Sequence, residues 1–237
     1  MSEFRFKQFS VDQTTTPMKV GTDGVLLGAW ITVNSNVHNI LDIGTGTGLI
    51  ALMLAQKCST ASIDAIDIDE AAFLQARENA YNCNWKNRIH IQHVGLEEFI
   101  SAINKSYDII VCNPPYFING WKVENEGRQK ARDGGFMPME LLIRSAKGCL
   151  TQTGSFNLIL PVEEGNKFLL QMENAGLCCK RKTAVYTKKG QPAKRLLMEF
   201  VSYDVATLNT DLVIENEGLN NFTEEYKLLT RDFYLNF

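Results

Sequence analysis

No two of the six cysteines (Cys58, Cys83, Cys112, Cys149, Cys178, Cys179) stand as C-x-x-C, and no second cluster completes a zinc site. Metal-stapled and disulfide-framework classes are therefore set aside, and no metal is expected. Most of the cysteines sit in apolar contexts, as reduced thiols of a cytosolic protein do. No apolar run approaches the ~20 residues a bilayer requires. The first residues, MSEFRFKQF, lack the apolar core of a secretory signal. The chain is thus read as soluble and cytoplasmic, with no membrane partner. There are no internal repeats and no low-complexity tract. At 237 residues the length suits one full-sized α/β domain. A chain this long buries enough surface to stand without staples.

Acidic residues are missing from one stretch. Asn174–Met198 holds Lys180, Arg181, Lys182, Lys188, Lys189, Lys194 and Arg195 and no Asp or Glu, giving +7 against −10 for the remainder. Such asymmetry marks a polyanion-facing surface on an acidic body. The competing interpretation is a solvated edge strand guarded by lysines.

Short apolar runs alternate with helical patterns. Strands are expected at Asn39–Ile43, Ser62–Asp67, Arg88–Val94, Tyr107–Cys112 and Gly154–Leu160. Helices are expected at Leu49–Gln56, Glu70–Tyr81, Leu96–Ile103, Met139–Leu150 and Glu164–Ala175. Cys178–Thr187 and Arg195–Tyr203 read as a closing hairpin. This predicts a Rossmann-like α/β fold: a mostly parallel seven-stranded sheet with a terminal antiparallel hairpin and helices on both faces. Residues 1–38 and Phe117–Gly135 stand outside the alternation, as lids and binding loops do. The expected division is one domain, with 1–38 as a lid or substrate segment and 39–237 as the core.

Leu41–Ala51 reads LDIGTGTGLIA, a strand, a D-x-G-x-G-x-G turn and a helix. Glycines permit positive φ and close backbone approach, and the helix start offers unpaired N–H groups. The dinucleotide fingerprint would need glycine at position 49, where Leu49 stands. Asp42 would repel a pyrophosphate but suits an ammonium. S-adenosylmethionine carries an ammonium and no phosphate, so Asp42, Gly44, Gly46 and Gly48 are candidates to hold it. Asp67, 19 residues past Gly48, ends the second core strand and can accept from both ribose hydroxyls. Ile68 would pack on the adenine, and Asp69 would cap the helix from Glu70. Gly95 stands where an adenine-binding acid is expected, so the backbone of Leu96, or Glu97 in its place, takes that contact.

Ile109–Cys112 runs into Asn113-Pro114-Pro115-Tyr116. The lone pair of a conjugated amine is delocalised, and methylating the nitrogen requires drawing it out of conjugation. The Asn113 side-chain oxygen and the Pro114 carbonyl can accept from the amine hydrogens. Pro115 stiffens the turn, and Tyr116 offers a stacking face. Cys112 would serve as nucleophile in C5-pyrimidine methylation, but strand alternation points it away from Asn113.

With these motifs placed, the chain resembles the tRNA1(Val) (adenine-37-N6)-methyltransferases, a class I methyltransferase family, nearly end to end. The segments that carry this are Phe6–Phe9 with Met18–Trp30, Asp42–Leu49, Asn113–Tyr116 with Arg128 and Arg132 after it, and Tyr226 with Asp232–Leu235. The resemblance implies methylation of the adenine beside a tRNA anticodon. It also implies that Lys19, Thr22 and Asp23 fold over the cofactor, with Gly21 and Gly24 as hinges. The RNA would then meet Arg128, Arg132, Lys180, Lys182, Lys188, Lys189, Lys194 and Arg195 at phosphates. Phe6 and Phe9 either stack on bases or staple the lid down. Rival readings are amino methylation of ribosomal RNA, DNA adenine or a protein glutamine, and a silent RNA-binding module.

Overall fold

The computed structural model describes residues 3–15, 19–114, 137–218 and 221–237. Pro115, Tyr116, Arg128 and Arg132 lie outside them. The chain opens with a hairpin, β1 (Glu3–Arg5) and β2 (Ser10–Asp12), followed by helix α1 (Thr22–Trp30). The alternating core then runs β3 (Asn39–Ile43), α2 (Leu49–Lys57), β4 (Ser62–Asp67), α3 (Glu70–Tyr81), β5 (Ile89–His93), α4 (Leu96–Ala102) and β6 (Tyr107–Cys112). After residue 136 come α5 (Met139–Cys149), β7 (Leu150–Pro161), α6 (Val162–Asn174), β8 (Cys178–Lys188), β9 (Arg195–Val201), β10 (Leu208–Glu215) and α7 (Glu224–Thr230).

Strands β3 to β10 form one sheet in the order β10-β8-β9-β7-β6-β3-β4-β5. Only β9 runs against the others, pairing antiparallel with β7 and β8. The α/β class and the β8–β9 hairpin agree with the sequence. Among the described residues the sheet has eight strands rather than seven, because β10 returns parallel to β8. The first half of β10 is exposed, so its sequence carries little of the apolar signal that marks β3 or β6. As a consequence β8 is an interior strand, and the guarded-edge interpretation of its lysines does not hold.

Interior strands must be apolar on both faces. Residues Ile40–Ile43 and Ile109–Cys112 are almost wholly buried. One face is covered by α1 and α2 with part of α3, the other by α4, α5 and α6. Two features lock α1 to α2. Gly28 lets the helices approach, since a Cβ there would come within 2.7 Å of Met53 Sδ. Lys57 Nζ donates to the carbonyls of Ala29 and Ile31 at the end of α1, a favourable place for a cation.

The N-terminal segment belongs to this core. Phe6, Phe9 and Val11 are buried with α1 and α2. Lys7 N donates to Phe233 O at 2.8 Å, which ties the hairpin to the C-terminal tail.

Candidate active site

Register gathers the motif residues at the C-terminal edge of the sheet. Ile43 pairs with Ile66 and with Cys112, so Gly44, Asp67 and Asn113 emerge side by side. The chain then turns sharply at Gly44 (φ 67°), Gly46 (φ 58°) and Gly48 (φ 82°). All three lie where an L side chain is strained. Gly48 is the N-cap of α2, with no side-chain cap.

Asp42 lies beneath this turn and is 1% exposed. Its Oδ2 accepts from the Thr45 hydroxyl at 2.7 Å, while Oδ1 has no side-chain or backbone hydrogen-bond partner within bonding distance among the described residues. Burial pushes its pKa up to about 7, against the pull of the Thr45 hydroxyl. Asp42 and Gly48 shape the loop from behind, whereas Gly44 and Gly46 line the cleft. Thr45 and Thr47 were not singled out in the sequence because the glycines dominate the motif. Their signal was their position between the glycines, directly above an acidic strand end.

Asp67 joins the second loop to the first. Its Oδ2 accepts from Gly46 N at 2.8 Å and its Oδ1 from Asp69 N at 3.0 Å. Burial raises its pKa, against the two amides. Ile68 lines the same cleft and is 46% exposed. Asp69 caps α3, accepting from Ala72 N at 2.8 Å. Leu96 begins α4 with its side chain buried in the core, which leaves only its backbone for the expected contact. Gly95 before it lies against Ile68, where a Cβ would come within 3.4 Å of Ile68 Cδ1.

Lys19, Thr22 and Asp23 border the cleft together with the glycine loop, Asp67 and Asn113. Gly24 lets α1 approach closely, since a Cβ there would lie 3.0 Å from Leu49 Cδ2 and 3.8 Å from Asn113 Nδ2. Two buried polar residues of α3, which sequence reading missed, tether the preceding segment. Asn79 accepts from Asp12 N at 2.9 Å and donates to Asp12 O at 2.8 Å and Thr47 O at 2.9 Å. Gln75 Oε1 accepts from the Thr15 hydroxyl at 2.8 Å. Polar positions on the buried face of an amphipathic helix were their signal.

Cys112 is fully buried, its thiol against Met137 Sδ at 3.8 Å. Burial pushes its pKa well above the ordinary thiol value, which removes it as a nucleophile. Pro114 is buried at the strand end.

The candidate RNA contacts divide. Phe6 and Phe9 are 4% and 8% exposed. They stack on each other at 4.7 Å, so they staple the hairpin down and offer no free face. Lys180 pairs with Glu199 at 2.8 Å, near the start of β8. Lys182 lies near the middle of the strand. Lys188, Lys189, Lys194 and Arg195 flank the turn at the other end, roughly 20 Å away at 3.3 Å per residue. The basic stretch is therefore spread along β8 and its turn rather than gathered at one point. Arg195, expected at a phosphate, pairs with Asp23 at 2.8 Å.

The chain is similar in sequence and fold to known proteins. The sequence profile of the methyltransferase small domain matches residues 21–186. The tRNA1(Val) (adenine(37)-N6)-methyltransferase of Flavobacterium psychrophilum is 44% identical, over 98% of this chain and 99% of its own. That of Haemophilus influenzae is 41% identical over the whole of both chains. The chain belongs to the tRNA1(Val) (adenine(37)-N6)-methyltransferase family. Among solved structures, a predicted O-methyltransferase, Atu636 from Agrobacterium tumefaciens, has a TM-score of 0.68 at 18% identity, over 89% of this chain and 96% of its own. The glycopeptide N-methyltransferase MtfA complexed with S-adenosylmethionine has a TM-score of 0.56 at 11% identity, over 79% and 100%. These two share the fold.

The family's cofactor, S-adenosylmethionine, fits the residues present. The buried Asp42 Oδ1 lacks a hydrogen bond among the described residues, and a cation above the loop would relieve that cost. A Cβ at Gly46 would meet nothing within 4 Å, so the loop faces open space. Beside it, Ile68 presents an uncovered apolar surface at the tip of β4. Among the described residues no helix is long and apolar enough to cross a membrane.

Proposed function

We propose that the chain transfers the methyl group of S-adenosylmethionine to the exocyclic N6 of an adenine in tRNA, adenosine 37 of tRNA1(Val), which it meets through the anticodon arm in the cytoplasm. The observation that carries this is the juxtaposition of Asn113 with Gly44, Gly46 and Asp67 in one cleft. An acceptor for an amine and a glycine loop for a cationic cofactor open into the same space.

Each residue has a defined task. Gly44 and Gly46 give the cofactor a bare backbone to lie on, and Asp42 supplies negative charge from beneath. Asp67 accepts from the ribose hydroxyls, and Ile68 packs on the cofactor's adenine. Lys19, Thr22 and Asp23 cover the pocket, which excludes water and strengthens each electrostatic contact. The bound cofactor supplies an electrophilic methyl group on a sulfonium. Asn113 Oδ1 and the Pro114 carbonyl accept from the target amine and free its lone pair, Pro115 fixes the turn, and Tyr116 stacks on the base. Positioning and electrostatics do the rest, and the proton leaves after transfer without a strong base. Lys189 and Lys194, with Arg128 and Arg132, meet phosphates.

The test is radiolabelled methyl transfer to unmodified total tRNA with nucleoside analysis. N6-methyladenosine confined to one valine tRNA is the expected product. Transfer to ribosomal RNA or protein, with none to tRNA, overturns the substrate and keeps the amino-methylating site.

A further inference from the structure

The cleft is larger than its cofactor requires. Its volume is about 1630 Å³, whereas small-molecule sites typically occupy roughly 300–1,000 Å³. The glycine loop, the tip of β4 and the start of α1 account for one part of the wall. The rest comes from the two ends of the chain, including Phe4, Phe222, Tyr234, Leu235 and Phe237, and from the adjoining ends of β8, β9 and β10. No part of the cofactor reading uses this second part.

Its chemistry is specific. Phe9, Phe6 and Tyr234 form a continuous ring stack, at 4.7 Å and 25° and then 6.0 Å and 26°. The first two rings are buried, and the third reaches the cleft wall partly exposed. Phe4 stands beside the stack, 4.8 Å from Phe6, and Phe237 meets Tyr234 edge-on at 5.3 Å. Acidic groups on this wall are neutralised in place. Glu3 pairs with Arg5 at 2.9 Å, and Glu215 with Lys188 at 3.7 Å. Lys7 Nζ donates to Phe237 O at the C-terminus at 2.7 Å. Lys194 lines the cleft, exposed and without an ion pair among the described residues.

We infer that this terminal part of the cleft seats the RNA nucleotides flanking the target adenine. Their bases lie against Tyr234 and Phe4, and a phosphate meets Lys194. The inference rests on the reading of the chain as a tRNA methyltransferase. RNA is favoured over a protein partner because the wall combines aromatic rings with a cationic rim and opens directly into the methyl-transfer site. Flipped-out and single-stranded nucleotides are bound in that way, by stacking and phosphate contact. The ring stack also explains the burial of Phe6 and Phe9: they are the foundation, and the ring presented to substrate is one layer further out.

Leu235 allows a clean test, because it lines this part of the cleft and is 57% exposed, so a charge there leaves the core intact. Full-length parent, Leu235→Glu and Lys194→Ala would be compared for tRNA KM, salt dependence and S-adenosylmethionine Kd. Leu235→Glu is expected to raise the tRNA KM roughly tenfold with cofactor Kd unchanged, the size of one lost stacking contact. Lys194→Ala is expected to reduce the salt slope by about one. A photoreactive residue at 235 is expected to crosslink to a nucleotide beside the methylated adenine. Parent tRNA kinetics in both variants, or crosslinking to a second protein chain instead of RNA, overturns the inference. If the parent itself methylates no tRNA, the proposed function fails first, and that is read from the parent alone.

Discussion

The two parts of the cleft are built in opposite ways. The glycine-loop part comes from residues close in sequence, Asp42 to Asp69, delivered by adjacent parallel strands. The terminal part joins residues more than two hundred positions apart, as in the bond from Lys7 Nζ to Phe237 O. The first uses backbone geometry and buried charge, the second aromatic surface with every nearby acid paired. A strand end and a glycine turn can offer amides and carboxylates to one small molecule. A wide aromatic floor needs several separate elements, and the chain ends supply them.

That division predicts separable defects. Asn113→Ala should produce the largest, since it removes an acceptor that matters while charge develops. A loss of about 10²–10³ in kcat is expected, with S-adenosylmethionine affinity within a few-fold of the parent. Equal losses in kcat and cofactor affinity would mean that Asn113 belongs to the cofactor pocket instead. Asp67→Ala should weaken cofactor binding roughly 10- to 100-fold, the scale of a charged hydrogen bond or two, and leave tRNA affinity alone. Calorimetric titration checks this, and an unchanged Kd removes Asp67 from the cofactor pocket.

A smaller effect follows from Asp42. Its carboxyl is raised from 3.8 to about 7 by burial. In the ligand-free protein, the stability that this group contributes is therefore full below pH 3.8 and is lost as pH rises to about 7. An ammonium above the loop favours the ionised form, so cofactor affinity should move the other way. It should tighten by up to about tenfold between pH 5.5 and 7. Asp42→Asn should flatten most of that change, and any residual slope belongs to Asp67, whose pKa is raised in the same direction. A parent Kd flat over this range would detach Asp42 from cofactor binding.

The same contrast explains what could be read from sequence. Core strands such as Ile40–Ile43 and Ile109–Cys112 are buried on both faces, so their apolar runs are unambiguous, and α2 between them is apolar throughout, buried from Leu49 to Ala55. The D-x-G-x-G-x-G turn and Asn113-Pro114 are legible because backbone conformation there depends on residue type. The polar, half-exposed strand β10 and the hairpin at Glu3–Asp12 lack such a signature, because their stability comes from contacts distant in sequence. Phe6 and Phe9 illustrate the limit. An aromatic near a chain end can stack outward or inward, and only the packing of Tyr234 and Trp85 against them decides. Composition likewise merged the basic residues into one patch, while strand geometry separates them.

That separation gives the smallest predicted effect and the sharpest. Lys189 is exposed on the turn between β8 and β9, the turn that also carries the cleft-lining Lys194, while Lys182 lies near the middle of β8. Each is a single cation, so each would add about one to the salt slope if it met a phosphate. Lys189→Ala should lower the slope by about one and weaken tRNA binding a few-fold at low salt. Lys182→Ala should leave both at parent values. The pair controls for net charge, because the two variants lose the same one. Equal reductions would mean that the RNA follows β8 past the cleft-lining Val185, about 10 Å further along the strand. The terminal wall would then be one contact among several. A change with Lys189 alone confines the RNA to the end of the sheet where Asn113 and the glycine loop stand.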